Sequence, residues 1–316
     1  MDWDAETRTD ALVANAAENA QDASWNFIGN PQTSYYDIEE TGYDQPITVW
    51  NGTGYEAVRP GDDTYALSPF EAFFVQKPDN KNEMAFPEDG RYTQTQWEEA
   101  KVAKAAARRE RGASIERQMI NLTLTDGTHQ DKTRVVFNER KSKGYEMECD
   151  AAKFLTSEKV PQLYTIDLQQ ARYAINERPT GEVRLGYVAA TGGELTIKAM
   201  RMDQPVLLRD TKLQITHDLS MGDYTFSTAA GTFNDRFMLV VDNSATAVGK
   251  LRQETGVSVT SEEGGLYFMG ITDQPVNIYS LSGTLLAANV KGGMISLPKA
   301  TYLVKVNNLT TKVMVR

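Results

Sequence analysis

Two histidines, one cysteine and three short acidic runs are the side chains whose types could do chemistry in this chain. His129 and His217 lie far apart in sequence, so they offer no metal-ligand spacing. His217-Asp218 could relay a proton, but a base needs a nucleophile to serve, and no Gly-x-Ser-x-Gly element accompanies the pair. It reads as a loop histidine. Cys149 sits in Tyr145-Glu-Met-Glu-Cys-Asp150, where neighbouring carboxylates oppose a thiolate, so it reads as an inert or part-buried thiol. A single cysteine also excludes an intramolecular disulfide. Asp62-Asp63, Asp37 with Glu39-Glu40, and Glu262-Glu263 could attract calcium. That ion needs about six to eight converging oxygens, the EF-hand spacing is absent, and the acids read as solvated turn residues. A glycoside hydrolase would need paired carboxylates on facing strands, and the sequence places none. The expectation is no catalytic residue, no metal and no cofactor.

Aromatic residues offer binding chemistry instead. Trp25, Tyr36, Trp50 and Tyr55, with Tyr35 beside them, could form a stacking platform for a sugar on one strand face. The competing reading is core or rim packing, because amphipathic rings are normal at half-buried positions. The charge balance of −10 over 316 residues argues against nucleic acid, which needs a basic surface. No apolar run approaches the roughly 18 residues that would span a bilayer as a helix. The start Met1-Asp-Trp-Asp-Ala-Glu has neither a basic nor an apolar leader region, so no signal peptide is visible and the chain reads as cut from a longer precursor.

The elements that must position these residues are mostly strands. Residues 1–24 are rich in Ala, Asn, Asp and Glu and read as a weakly ordered segment. Ile47-Thr-Val-Trp50 and Tyr55-Glu-Ala-Val58 flank Asn51-Gly52-Thr53-Gly54, a hairpin signal because Asn and Gly accept positive φ. Leu67–Gln76 reads as one very apolar strand burying three phenylalanines. One helix is expected at 95–111, with Thr95 and Glu98 as its capping box, Arg108, Arg109 and Arg111 in its last turn and Gly112 as its C-cap. From Ile115 the hydrophobic period changes to two, with strands at Met119–Leu124, Thr133–Phe137, Leu163–Ile166, Arg172–Ile175, Val183–Val188, Glu194–Ala199, Val206–Arg209, Tyr224–Ser227 and Arg236–Val241. Asp203–Pro205 and Met221–Asp223 punctuate the last of them.

This pattern predicts an all-β protein. A jelly-roll-like β-sandwich main domain over 25–242 carries the one peripheral helix. A linker over 243–255 joins it to a small immunoglobulin-like sandwich over 256–316.

The tail carries a family resemblance. Val276-Asn-Ile-Tyr-Ser-Leu-Ser-Gly-Thr-Leu-Leu286, Ile295-Ser-Leu-Pro-Lys-Ala-Thr-Tyr-Leu-Val-Lys-Val306 and Thr311-Lys-Val-Met-Val315 resemble the C-terminal sorting domain of type IX secretion substrates from Bacteroidetes. The residues that match its motif are Tyr279, Ser282, Gly283, Leu297, Pro298, Tyr302, Lys305 and Lys312. Ala300 stands where that family usually has Gly, and Ala resists positive φ. Upstream, Trp25–Pro31, Ile47–Trp50, Pro69–Gln76, Asp218–Phe226 and Asn234–Leu239 resemble β-rich regions of large Bacteroidetes surface proteins, leucine-rich-repeat and adhesin-like. The resemblance implies a non-catalytic segment of an exported protein of a Gram-negative bacterium. It would be secreted or held at the outer-membrane exterior and recognised by the outer-membrane type IX machinery. The alternative is a module that binds a carbohydrate or a host surface protein through its aromatic platform.

Overall fold

A computed structural model describes residues 7–111, 117–200, 206–220, 222–240, 251–252, 254–262 and 264–315. The side chains of Arg108, Arg109 and Arg111, together with Gly112, Asp203–Pro205, Met221, Glu263 and most of the expected linker, lie outside the described residues. The protein is all-β, with one long helix and several sheets. Its buried side chains collect into three large clusters, one for each successive part of the chain.

The first part contains β1 (Thr7–Ala11), β2 (Trp25–Gly29), β3 (Tyr35–Asp37), β4 (Ile47–Trp50), β5 (Tyr55–Val58), β6 (Ala66–Leu67), β7 (Ala72–Gln76), β8 (Glu83–Pro87) and β9 (Arg91–Tyr92). Four of them form an antiparallel sheet in the order β2-β7-β4-β5. Alternation sends Ile28, Phe73, Val75, Ile47, Val49 and Val58 to its buried face, where they meet Tyr36, Ile38, Tyr43 and Phe86. Each such side chain contributes roughly 1.5–3 kcal/mol when fully buried. The opposite face carries Trp25, Phe27, Phe74, Trp50 and Tyr55.

Three local expectations change here. The segment 1–24 is not wholly loose: β1 pairs with β8 through all five of its residues, and Leu12 is buried. Backbone pairing needs no large side chains, so the composition of β1 gave no warning of it. The expected strand Leu67–Gln76 is broken by a turn in which Glu71 donates its backbone N–H to the Ser68 carbonyl at 3.0 Å. Pro69 suits the second position of that turn, and the third requires positive φ. Phe70 takes it with φ of 62° and is 67% exposed, so only Phe73 of the three phenylalanines is fully buried. The helix α1 (Gln94–Arg111) is capped by Thr93 rather than Thr95. The Gln96 backbone donates to Thr93 Oγ1 at 3.3 Å, and the Thr93 backbone donates to Gln96 Oε1 at 2.9 Å. The same reciprocal box thus sits two residues earlier. Trp97 is buried against Tyr92 while Val102 faces solvent, and Lys104 reaches Asp37 at 2.5 Å, which ties the helix to the first part.

The second part contains β10 (Gln118–Thr125), β11 (Gln130–Phe137), β12 (Ala151–Ala152), β13 (Gln162–Ile166), β14 (Arg172–Arg178), β15 (Glu182–Ala189), β16 (Gly193–Met200), β17 (Leu207–Asp210), β18 (Ile215–Asp218), β19 (Tyr224–Thr228) and β20 (Gly231–Val240). They form one eleven-stranded sheet in the order β18-β17-β20-β15-β13-β14-β11-β10-β16-β19, with β12 on β14. The sheet doubles back on itself. Tyr187 of β15 meets Phe226 of β19 at 5.4 Å although the two strands are far apart in that order. Near the closure, Arg236 and Tyr224 both donate to the buried carboxylate of Asp210 at 2.8 and 2.9 Å.

The third part contains β21 (Ser258–Glu262), β22 (Gly265–Met269), β23 (Val276–Ser280), β24 (Leu285–Ala287), β25 (Gly293–Ser296), β26 (Thr301–Val306) and β27 (Leu309–Met314). Sheets β21-β22-β25 and β24-β23-β26-β27 are both antiparallel. They share one core of Val259, Leu266, Phe268, Val276, Ile278, Tyr302, Val304 and Val306, which already includes Leu251. Among the described residues, none of these strands pairs with a strand of the preceding parts.

Candidate functional site

Two surfaces collect the residues singled out from the sequence, and the histidines, the cysteine and the acidic runs belong to neither. His217 bonds to the Gly222 carbonyl through Nε2 at 2.9 Å and leans on Tyr224, while Asp218 caps the Ser220 backbone. The pair is therefore a turn device. His129 is held by Asp126 within the β10–β11 turn. Cys149 is fully buried, and burial pushes its thiol up to about 12. Among the described residues, no group of three His, Cys, Asp or Glu side chains could hold a metal ion.

Of the acidic runs, Asp62-Asp63 is not a solvated turn but an anchor of the contact between the first two parts, whereas Asp37 and Glu39 hold Lys104 of α1. Asp62 takes both arms of Arg117 at 2.5 and 2.6 Å, and Asp63 takes both arms of Arg134 at 2.8 and 2.5 Å. Glu177, 2% exposed at its side chain, accepts Arg59 at 2.5 Å and Asn138 at 2.7 Å. Burial would raise the Glu177 carboxyl, but the hydrogen bonds from Arg117 and Asn138 outweigh it and hold the group below the usual range. Planar bidentate pairs of this kind fix orientation as well as supplying energy. Asp150 lies just behind and receives the backbone N–H groups of Glu146 and Glu177 at 2.8 and 2.7 Å. Burial prevails over those bonds and pushes its carboxyl up to about 7.

The first surface is the outer face of the β2-β7-β4-β5 sheet. Three of the four expected platform residues meet there. Trp50 and Tyr55, opposite each other across the hairpin, pack edge to face at 5.0 Å. Tyr55 and Trp25 both touch Phe154, at 5.5 and 4.7 Å. Tyr36 is corrected out of the platform: it is fully buried, packs on Phe86, and donates its hydroxyl to the Pro87 carbonyl at 2.9 Å. A tyrosine whose hydroxyl finds a backbone acceptor is content in a core. Sequence reasoning missed Phe27, Phe74 and Phe154, which complete the cluster at 4.7 Å (Phe27 to Phe74) and 5.3 Å (Phe74 to Phe154). The alternation Trp25-x-Phe27 could have signalled Phe27. Phe154 comes from the segment after β12, and no local pattern points to it.

The second surface is on the tail. The expected motif divides into two groups there. Leu297, Pro298 and Tyr302 are structural. Leu297 donates its backbone N–H to the Gly264 carbonyl at 3.0 Å and packs on the tail core, and the buried Tyr302 donates its hydroxyl to the Pro298 carbonyl at 2.7 Å. A tyrosine reaching back to upstream backbone at a strand entry resembles the corner that pins β-sandwich sheets. Ser282 and Gly283 form the β23–β24 turn, where Gly283 has φ of 86° and the hydroxyls of Ser280 and Ser282 lie 2.7 Å apart. Tyr279, Lys305 and Lys312 lie on the outer face of the four-stranded sheet, where the register sets Leu303 between Tyr279 and Lys312. Ala300 is not among the residues with positive φ, and its carbonyl accepts the Val315 N–H at 2.8 Å, so the position needs no glycine in this chain.

The family model described as Domain of unknown function (DUF8693) matches residues 32–241. No curated protein matches the chain, and no solved structure does. The match includes Trp50, Tyr55, Phe74 and Phe154 and ends before the tail.

Proposed function

The chain belongs to the DUF8693 family, and from that premise we propose that it is a non-catalytic segment of an exported bacterial surface protein whose C-terminal unit directs type IX secretion and surface attachment. The reading treats the unit as an immunoglobulin-like sandwich and places the protein at the outer-membrane exterior of a Bacteroidetes bacterium. One observation carries it: the tail has two sheets and its own core. Such a unit could act as a transferable address, since among the described residues its strands pair only with one another.

The division of the motif supports the same reading. Leu297, Pro298 and Tyr302 serve the interior, which accounts for their types by folding alone. Tyr279, Lys305 and Lys312 lie on the outer face of one sheet, the two lysines exposed and the tyrosine half-buried, an arrangement that suits a reading partner. Lysines flanking a tyrosine and a leucine combine an apolar centre with a charged rim.

A reporter joined to residues 250–316 and expressed in a type IX-competent bacterium should reach the cell surface. Recovery of the intact fusion only from the periplasm would defeat the proposal. A fusion carrying Lys305→Glu and Lys312→Glu, which leaves the core untouched, should be retained inside.

A further inference from the structure

We propose that the outer face of the β2-β7-β4-β5 sheet is a binding site for neutral pyranose residues of a glycan, seated in a notch between Phe27 and Trp50 and floored by Gly29 and Ala72. The inference is independent of the sorting role, which concerns the tail alone.

Register defines the notch. Gly29 lies opposite Ala72, and Phe27 lies opposite Phe74 one row further along the same face. Continuing the β4–β7 ladder past Val49 and Phe73 brings Trp50 beside Ala72. The row through Trp50 therefore carries Gly29 and Ala72 side by side, and the next row carries two phenylalanine rings. A Cβ built on Gly29 would meet nothing within 4 Å, so the space above it is open. Gly29 does not have positive φ, so its backbone conformation does not explain why a glycine stands there.

The walls are exposed and pre-set. Phe27 is 66% exposed and Trp50 is 43% exposed. Phe27 rests on Phe74, Trp50 rests on Tyr55, and both supports rest on Phe154. Rings held by other rings lose little freedom when a ligand stacks on them.

Size and charge select the occupant. With aromatic side chains offering about 150–250 Å² each, the two rings that wall the notch present roughly 250 Å². That falls well short of the roughly 800 Å² per partner that a stable protein interface buries, so a second copy or a folded partner is disfavoured. It does match one or two sugar rings. A pyranose has an apolar C–H face for an aromatic ring and hydroxyls around its edge. Asn51 and Thr53 of the β4–β5 hairpin are exposed beside Trp50 and are neutral. Two charged pairs on neighbouring strands are satisfied by each other: Glu56 pairs with Lys132 at 3.1 Å, and Lys153 pairs with Asp131 at 2.6 Å. Among the described residues, the strand positions that share this face include no cation, and the chain charge is −10, so the face favours a neutral sugar over a uronic or sialic acid.

The test uses the full chain, intrinsic tryptophan fluorescence and calorimetry. The probes are hexaoses of glucose, mannose and xylose, with polygalacturonate as the charged control. At least one neutral probe should bind saturably, with polygalacturonate silent. Trp50→Ala and Phe27→Ala should each weaken that binding about tenfold or more, a loss of about 1.4 kcal/mol. Gly29→Val fills the notch while suiting a strand, so it should abolish binding with an unchanged circular dichroism spectrum. Absence of binding by every neutral probe up to about 10 mM, a regime already weaker than useful recognition, overturns the proposal. So does undiminished binding by folded Gly29→Val, or a dimer that Phe27→Ala dissociates.

Discussion

Replacing Glu177 with Gln should cost about 3 kcal/mol of stability at neutral pH, because it takes the carboxylate partner from a half-buried guanidinium at the seam between the first two parts of the chain. The carboxylate accepts Arg59 at 2.5 Å, Arg117 at 3.0 and 3.2 Å and Asn138 at 2.7 Å. Glutamine keeps one acceptor oxygen and turns an amide NH₂ toward the guanidinium groups. Hydrogen bonds to charged groups contribute about 1.5–3 kcal/mol each, and breaking a buried pair from one side costs about 3–5 kcal/mol. Arg117 keeps its two-armed contact with Asp62, so the loss falls mainly on Arg59, which is left with a 3.9 Å approach to Asp62 and a 3.5 Å bond to the Glu148 carbonyl. That places the cost at the lower end.

The pH dependence has a definite sign. The folded Glu177 carboxyl is held below its usual range, so its stabilisation is fully present above the unfolded value of about 4.3 and is lost as pH falls through the lower folded value. Urea unfolding of wild type and variant, followed by tryptophan fluorescence at several pH values from 7 to 3, should give a constant gap down to about pH 5 and a shrinking gap below about pH 4. A gap under about 0.5 kcal/mol at pH 7, the size of an ordinary surface change, would refute the reasoning. A gap that does not narrow in acid would refute the assignment of its cause.

Two further outcomes follow from single contacts. Tyr302→Phe removes the hydroxyl that donates to the Pro298 carbonyl while keeping the ring in the tail core, and should lower the stability of that unit by about 1 kcal/mol, read as a reduced urea midpoint with unchanged slope. Burial raises the Cys149 thiol to about 12, so at pH 8 iodoacetamide should leave it unmodified in native protein and label it fully in urea, as counted by mass spectrometry. Rapid native labelling would mean that the segment around Glu146–Asp150 opens readily.

The chain alone determined its all-β class, the long helix α1, the β4–β5 hairpin, most strands of the large sheet and four strands of the tail. Those features are local. Alternation of period two, Asn-Gly and Ser-Gly turns and a run of Ala, Lys and Glu are each written within a few residues. The same locality explains the near misses. A capping box can be assembled at Thr93 or Thr95 from neighbouring residues, and only the tertiary placement of Trp97 against Tyr92 selects between them. β1 has no apolar pattern of its own and exists because β8 lies beside it.

The candidate binding face was half legible for a related reason. A strand's sequence tells which residues share a face, but not which face is covered. Trp50 and Tyr36 look alike as aromatic strand residues, yet one ends 43% exposed and the other sealed against Phe86. Phe154 arrives from the second part of the chain to brace Trp25, Tyr55 and Phe74. Asp62 and Asp63 likewise read as ordinary acids, and nothing in the sequence singled out Glu177, until the docking of two sheets brings Arg117, Arg134 and Arg59 to them. Side-chain periodicity is a property of one segment, whereas burial and ion pairing belong to pairs of segments distant in sequence, so tertiary structure alone could decide them.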